Sequence, residues 1–380
     1  MVNHIITLLS IPAFILCMFS CASQHVKDHS TGPVFPKEKA EVVADLNMPP
    51  GNIAVSSDHR VFFTFHPEAD PDIKIAELVG GNAVPFPNDD FQNDQDDQDD
   101  EPFFDTVLSV RIDSDNHLWT LDHGYFGIRQ PRLMAFDLTT GYMIHRHDFS
   151  SDIAGFASFL NDFQVHPSGD YIIIADTGAP VPVIGGDPAI IVYEVATRTA
   201  RRVLDNHESV QATSNTLRVG ENDLTVLGIP VHIALDSIAL SRDAQWLYYA
   251  PLNSETLYRI PTRSIINPEL TEDELAGQVE VFAEKGMSDG ITTDLEGNIY
   301  ISDMENSAVN VIDQDRTLTT LLKDPAFRWP DGFSFGPGGW LYFTCSSLMD
   351  VIGKSDSHIQ SQAPYQIYRF QPGTNSIPGH

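Results

Sequence analysis

Five oxygen-bearing side chains recur at one place in a repeated phrase. Asn161 and Asp162, Asp236, Asp289 and Asp331 each stand just before, or at the start of, a short apolar-alternating strand. Carboxylates gathered at such a place raise one another's pKa unless a cation neutralises them. An all-oxygen donor set suits a hard divalent cation, calcium first, or an organic ammonium. The same residues also have a scaffold use, because Asp beside Gly or Ser caps turns and binds backbone amides within its own hairpin. A second recurrent acid, represented by Asp122, Asp176 and Asp303, follows the paired strand and reads as scaffold of that kind. His123 and His232 are the histidines nearest the first set. The sequence holds no Gly-rich phosphate loop, no G-x-S-x-G elbow, no H-E-x-x-H helix and no paired C-x-x-C.

The elements that position these acids are hairpins. Residues 287–303 read MSDGITTDLEGNIYISD: an acid before glycine, a strand, a tight turn and a second strand. Variants occupy residues 51–64, 108–122, 161–177, 236–251 and 331–344, making six copies. Paired strands repeating about every fifty residues predict an all-β chain folded as a six-bladed β-propeller over residues 46–372. The innermost strand of each blade then lines a central channel and delivers the recurrent acids to one mouth. Residues 46–51 are the candidates for completing the last blade. Residues 263–279 break the strand pattern and predict a short helix, with Thr271 as N-cap and Glu274 as its capping-box partner. The Gly/Pro-rich loop 178–188 belongs on a rim. The run 88–101, NDDFQNDQDDQDDE, contains no glycine and reads as a solvated acidic insertion rather than a calcium loop. Residues 373–380 read as a frayed tail.

The formal charge is −31, from 22 basic and 53 acidic residues. Such an excess repels phosphate backbones and excludes nucleic acid as a partner. Residues 5–19, IITLLSIPAFILCMF, form an apolar run interrupted by Pro12, too short to span a bilayer comfortably and typical of a signal peptide over residues 1–20. Ser20-Cys21 after this run resembles a bacterial lipoprotein cleavage site, although Phe19 is bulkier than usual there. Cys21 is then the lipidated residue, residues 21–45 are a tether, and the protein is an exported, monomeric, envelope-bound lipoprotein. An ordinary secretory signal or a retained anchor are the other readings of the same run. Cys345 is left as the one cysteine of the folded part, which rules out an intrachain disulfide and fits a buried, inert thiol.

Several stretches together, among them LWTLDHG, PRLMAFDLTTG, LNDFQV, IIIADTG, KGMSDGITTDLEGNIYISDMENSAV and WPDGFSFGPGGWLYFTCSSL, resemble the major royal jelly protein/Yellow family in a bacterial version. The resemblance spans residues 47–370. It implies a six-bladed propeller and secretion; some members are associated with dopachrome conversion, and some salivary members bind biogenic amines in the central channel. Ser288-Asp289-Gly290 and Pro330-Asp331-Gly332 also look like the gluconolactonase/regucalcin propellers, more distantly. That similarity implies a divalent cation, held by Asp289 and Asn161, that polarises a lactone carbonyl. The first-blade Glu of that family has only Asn52 as its counterpart here.

Two functions follow as expectations. One is a tethered propeller that binds a small cationic or aromatic ligand at an acidic channel mouth formed by Asn161, Asp162, Asp236, Asp289 and Asp331. The other is a metal-assisted lactone hydrolase or dopachrome-converting isomerase, with Asp236 or Asp331 moving the proton. A scaffold binding another envelope protein on its rim is a blander option beside these two.

Overall fold

The computed structural model describes residues 25, 27–92, 103–179 and 186–379. Six four-stranded antiparallel sheets form the six blades. Blade one consists of Pro50–Val55, Val61–Phe65, Ile75–Val79 and Asn82–Pro85. Blades two to five repeat that order with inner strands Val107–Ile112, Leu160–Val165, Leu235–Leu240 and Ile291–Thr293. Inner strands are buried along their whole length, because each packs between two neighbouring blades. An outer strand such as Met143–Asp148 meets solvent on one side, so its residues are mostly exposed or half-buried. The turn between the first two strands of each repeat needs a residue of positive φ. Gly169 and Gly297 supply it without strain, at 75° and 84°.

Adjacent blades are stitched by threonine hydroxyls. Thr64 donates to the carbonyl of Leu108 at 2.8 Å, Thr293 to that of Leu240 at 2.7 Å, and Thr344 to that of Gly51 at 2.5 Å. The glycines of two Asp-Gly phrases admit a closer approach between blades still. A Cβ on Gly290 would lie 2.1 Å from the carbonyl oxygen of Asp331, and one on Gly332 would lie 2.8 Å from the Cα of Asn52. The glycine of the Asp-Gly phrase is therefore what lets neighbouring inner strands converge at the mouth.

Blade six is built from both ends of the chain. Its order is Glu41–Leu46, Tyr365–Phe370, Trp340–Cys345, Pro330–Gly336, so the N-terminal strand is outermost. The ring closes with residues 41–46, part of the stretch expected to be tether, and not with 46–51. Pro50–Val55 is the inner strand of blade one. Upstream of the closing strand the chain is also pinned: Val34 and Phe35 donate backbone hydrogen bonds to Thr320 and Leu321, and Phe35 stacks edge-on to Phe370. The cause is ordinary strand pairing over a long sequence separation, which leaves no local mark.

The helical expectation resolves into two short pieces, Thr262–Ile265 and Glu272–Ala276. The second begins with the Thr271–Glu274 capping box. At the start of the acidic run, Asp90–Gln92 forms one 3₁₀ turn whose buried Gln92 donates to the carbonyl of Phe86 and accepts from the amides of Lys74 and Ile75. The rest of that run, like residues 1–20 and Cys21, lies outside the described residues. Cys345 is free and buried.

The C-terminal residues are docked rather than frayed. The amide of Leu295 donates to the carbonyl of Asn375, the Ser376 hydroxyl to that of Thr293, the amide of Gly379 to that of Phe335, and the amide of Ile112 to that of Gly379. Ile377 enters a small cavity with Asp113, Val165, Leu240 and Arg242. These partners sit at or just beyond the ends of inner strands remote from the mouth. The tail thus crosses that end of the channel from blade to blade, held mainly through backbone groups.

Candidate ligand-binding site at the channel mouth

At the opposite end the inner strands open into a cavity of about 960 Å³. Asn52, Asn161, Asp162, Asp236, Asp289 and Asp331 all line it, so the structure brings together every residue singled out at the starts of the inner strands. Trp329, His66, Phe65, Phe126 and Phe159 contribute aromatic wall.

The floor is a connected polar set. Asn161 donates its side-chain amide to Asp236 Oδ2 at 2.7 Å. A side-chain hydrogen bond links Asp236 to Asp289, and Asp289 Oδ2 accepts the Trp329 indole N–H at 2.7 Å. Burial and the neighbouring carboxylates push Asp236 and Asp331 well above the ordinary carboxyl range. Burial also raises Asp289, to about 6, against the opposing pull of Trp329 and Asp236. A hydrogen bond between two carboxyls needs a proton, so Asp236 and Asp289 share one and the pair carries a single negative charge at most.

Asp162 has a different partner. Arg111, 2% exposed, projects from the second inner strand into the channel and places one terminal nitrogen 2.7 Å from each Asp162 oxygen. Its other terminal nitrogen donates to Asn52 Oδ1 and to the Val110 carbonyl, while Nε finds no hydrogen-bond partner. Ser109, the Asn52 amide and the Phe163 amide also donate to Asp162. Burial raises the Asp162 carboxyl and Arg111 lowers it, one guanidinium nitrogen lying between both carboxylate oxygens as in an ion pair. Arg111 was not among the candidates. Its one sequence signal is an arginine inside the strand Val107–Ile112, where the pattern demands an apolar or small side chain.

The remaining polar groups around the cavity are settled by burial. His66 and His123 are held neutral, each lowered to about 3 by desolvation, and each accepts a backbone amide on its Nδ1. Burial raises Asp105 to about 6, and it pairs with Arg129 at 2.5 Å. Burial also raises Glu68. The second recurrent acids act as scaffold. Asp122 accepts the amides of Asp105, Thr106 and Gly124; Asp176 accepts those of Phe159 and Gly178; Asp303 accepts from Asn306 and Asn310.

The expected cation pair, Asp289 and Asn161, shares the cavity but does not form a cation cage. Among the described residues no three His, Cys, Asp or Glu side chains are grouped as metal ligands. The Asn161 amide nitrogen donates to Asp236 and one Asp289 oxygen accepts from Trp329. Asn52, in the place of a first-blade Glu, gives its side-chain oxygen to the Arg111 guanidinium, so that position offers a cation no free oxygen.

A model of the family described as major royal jelly protein matches residues 105–323, more than half of the chain. The chain belongs to the major royal jelly protein family. Major royal jelly proteins 7 and 6 of Apis mellifera are 26% and 25% identical to it, each over 226 residues that cover 56% of this chain and 48% of theirs. The chain thus spans about half the length of the curated relatives it matches. Among solved structures it is similar to regucalcin, a calcium-binding protein from Agrobacterium tumefaciens (TM-score 0.56, 16% identity, covering 92% of this chain and all of that one). It is also similar to a gluconolactonase from Xanthomonas campestris (TM-score 0.53, 14% identity, covering 87% and 88%). At those identities the likeness is one of fold, the six-bladed propeller, and it carries no chemistry across.

Proposed function

We propose that this major royal jelly family propeller binds a small organic cation with an aromatic or apolar body, and does so as an exported protein tethered through Cys21. One observation carries the reading: a roughly 960 Å³ cavity with aromatic walls ends in a floor of buried carboxyls in which Asp289, bound by Trp329, shares a hydrogen bond with Asp236. A ligand ammonium above Asp289 would replace the proton shared with Asp236, and the ring of such a ligand would face Trp329 and Phe159. Arg111 keeps Asp162 neutralised from within, so the cation is directed to Asp289 rather than to Asp162. The N-terminal apolar run followed by Ser20-Cys21 supports export and tethering.

The test is calorimetric titration with an arylethylamine and with the matched arylethanol. The amine is expected to bind at least tenfold more tightly, with protons released when it is added below pH 6. Asp289→Asn is expected to abolish the preference for the amine. Equal affinity for both compounds, or binding of neither, refutes the proposal.

A further inference from the structure

The mouth of the cavity is surrounded by apolar side chains that stand out into solvent. Leu227, at the tip of the hairpin formed by Thr225–Val226 and Ile229–Pro230, is 97% exposed, and Phe156 is 71% exposed. Tyr125, Ile128 and Ile229 are exposed on the same rim. Phe156, Tyr125, Ile128 and the hairpin residue Val226 line one cavity, which places two separate rim segments around a single opening. The blade-two part is held rigidly against blade three. A Cβ on Gly127 would lie 1.9 Å from the Gly155 carbonyl oxygen, and the amide of Ala157 donates to the carbonyl of Phe126. Exposed apolar side chains occur elsewhere too, Tyr142 at 75% among them, but those at the mouth are gathered around one opening, and a gathered apolar patch marks a surface that meets a partner.

Where the chain enters the fold says which partner. His25 hydrogen-bonds to the carbonyl of Thr216, and His29 to Glu255 at 3.0 Å. Glu255 follows the strand Trp246–Pro251 at its mouth end, and the amide of Lys285, in the same blade, donates to its carbonyl. The first described residues therefore stand on the mouth face. The sequence just before them carries Cys21 and the apolar run 5–19. A protein tethered there is held to the bilayer by the face that bears the apolar rim. The formal charge of −31 argues against attraction to anionic headgroups, so the surface that fits is the uncharged, apolar part of the interface.

We propose that the mouth face of this propeller rests on a zwitterionic lipid bilayer, with Leu227 and Phe156 inserted at the headgroup–acyl boundary, so that the ligand enters the cavity from the membrane surface. The docking rests on the tethered reading above and extends it by fixing which end of the propeller faces the lipid. Apolar-bodied cations concentrate at such an interface, their rings at the acyl boundary and their ammonium groups at the phosphates, which is the class of ligand the cavity takes.

The experiment places an indole at either end of the molecule. The full chain is bound to phosphatidylcholine vesicles with or without bromine on the acyl chains, as wild type and as Leu227→Trp, Phe156→Trp and Leu295→Trp. Leu295 is 58% exposed in the turn at the opposite end, and the four native tryptophans give the background to subtract. The added fluorescence is expected to fall by more than half for Leu227→Trp and Phe156→Trp, and by less than a tenth for Leu295→Trp. Equal quenching at both ends, quenching at Leu295→Trp alone, quenching at none of the three, or failure of the chain to bind the vesicles overturns the proposal. Amine titration of the same proteins in detergent reads ligand binding independently of orientation. A docking failure with intact amine binding therefore removes this inference alone.

Discussion

Arg111→Met takes the guanidinium out of the channel and leaves Asp162 buried without its ion partner. The loss comprises two contacts to Asp162 at 2.7 Å and the bonds to Asn52 and the Val110 carbonyl. Breaking one side of a buried pair costs about 3–5 kcal/mol, because the surviving charge keeps its desolvation penalty. At roughly 2 °C per kcal/mol for a domain of this size, Tm is expected to fall by about 6–10 °C. The deficit also depends on pH. Asp162 already titrates above the ordinary carboxyl value in the folded state, and without Arg111 it rises further. Between the two values the unfolded chain binds fewer protons than the folded one, so folded stability declines as pH rises. Thermal unfolding of the variant is therefore expected to lie near wild type at pH 4 and furthest below it at pH 8. Combining Arg111→Met with Asp162→Leu removes the stranded charge and is expected to recover at least half of the loss. A single-variant loss below about 1 kcal/mol, a pH-independent loss, or a double variant as unstable as the sum of the two single ones would refute the pairing argument.

Three further outcomes follow from the floor and its frame. Asp236→Asn preserves an acceptor for Asn161 and a donor for Asp289, so its stability at pH 7 is expected to stay within about 1 kcal/mol of wild type; Asp236→Ala, which leaves the Asn161 amide without its acceptor and Asp289 with Trp329 alone, is expected to cost about 2–4 kcal/mol by chemical denaturation. Amine affinity is expected to increase with pH up to about 6 and then level off, because the ammonium needs Asp289 ionised; calorimetry at pH 5, 6 and 7 in the wild type, flat in Asp289→Asn, checks it. Gly290→Ala puts a methyl group into the Asp331 carbonyl, and a stability loss above about 2 kcal/mol with weakened amine binding is expected from thermal unfolding and titration together.

The blades were readable because a hairpin writes itself locally: alternating strands, an Asp-rich turn and a glycine of positive φ lie within about seventeen residues. The acids at the inner-strand starts were readable for the same reason, and the fold gathers all of them in one cavity. What they do there was less readable. The proton shared by Asp236 and Asp289, and the tie from Trp329 to Asp289, depend on side chains from three blades meeting in space. Arg111 looks like a misplaced surface residue until Asn52 and Asp162 are seen beside it. That guanidinium also takes the first-blade oxygen, on Asn52, that a cation site of the lactonase-propeller kind would use. The closing strand Glu41–Leu46 and the docked tail escaped sequence reading because both are held mainly by backbone hydrogen bonds, to which no residue type testifies.

The docked tail has a kinetic consequence. With Ile377 and Gly379 held against the inner-strand ends remote from the cavity, the proposed ligand would come and go by the mouth. Whatever obstructs that door slows arrival and departure by the same factor and leaves the equilibrium constant where it was. A bilayer against the mouth would therefore set how long an occupant stays without changing how tightly it is held, unless the lipid also changes the ligand's local concentration. On the proposed reading, affinity and residence time would be separately adjustable: the first by the carboxyls at the bottom of the cavity, the second by what lies over its top.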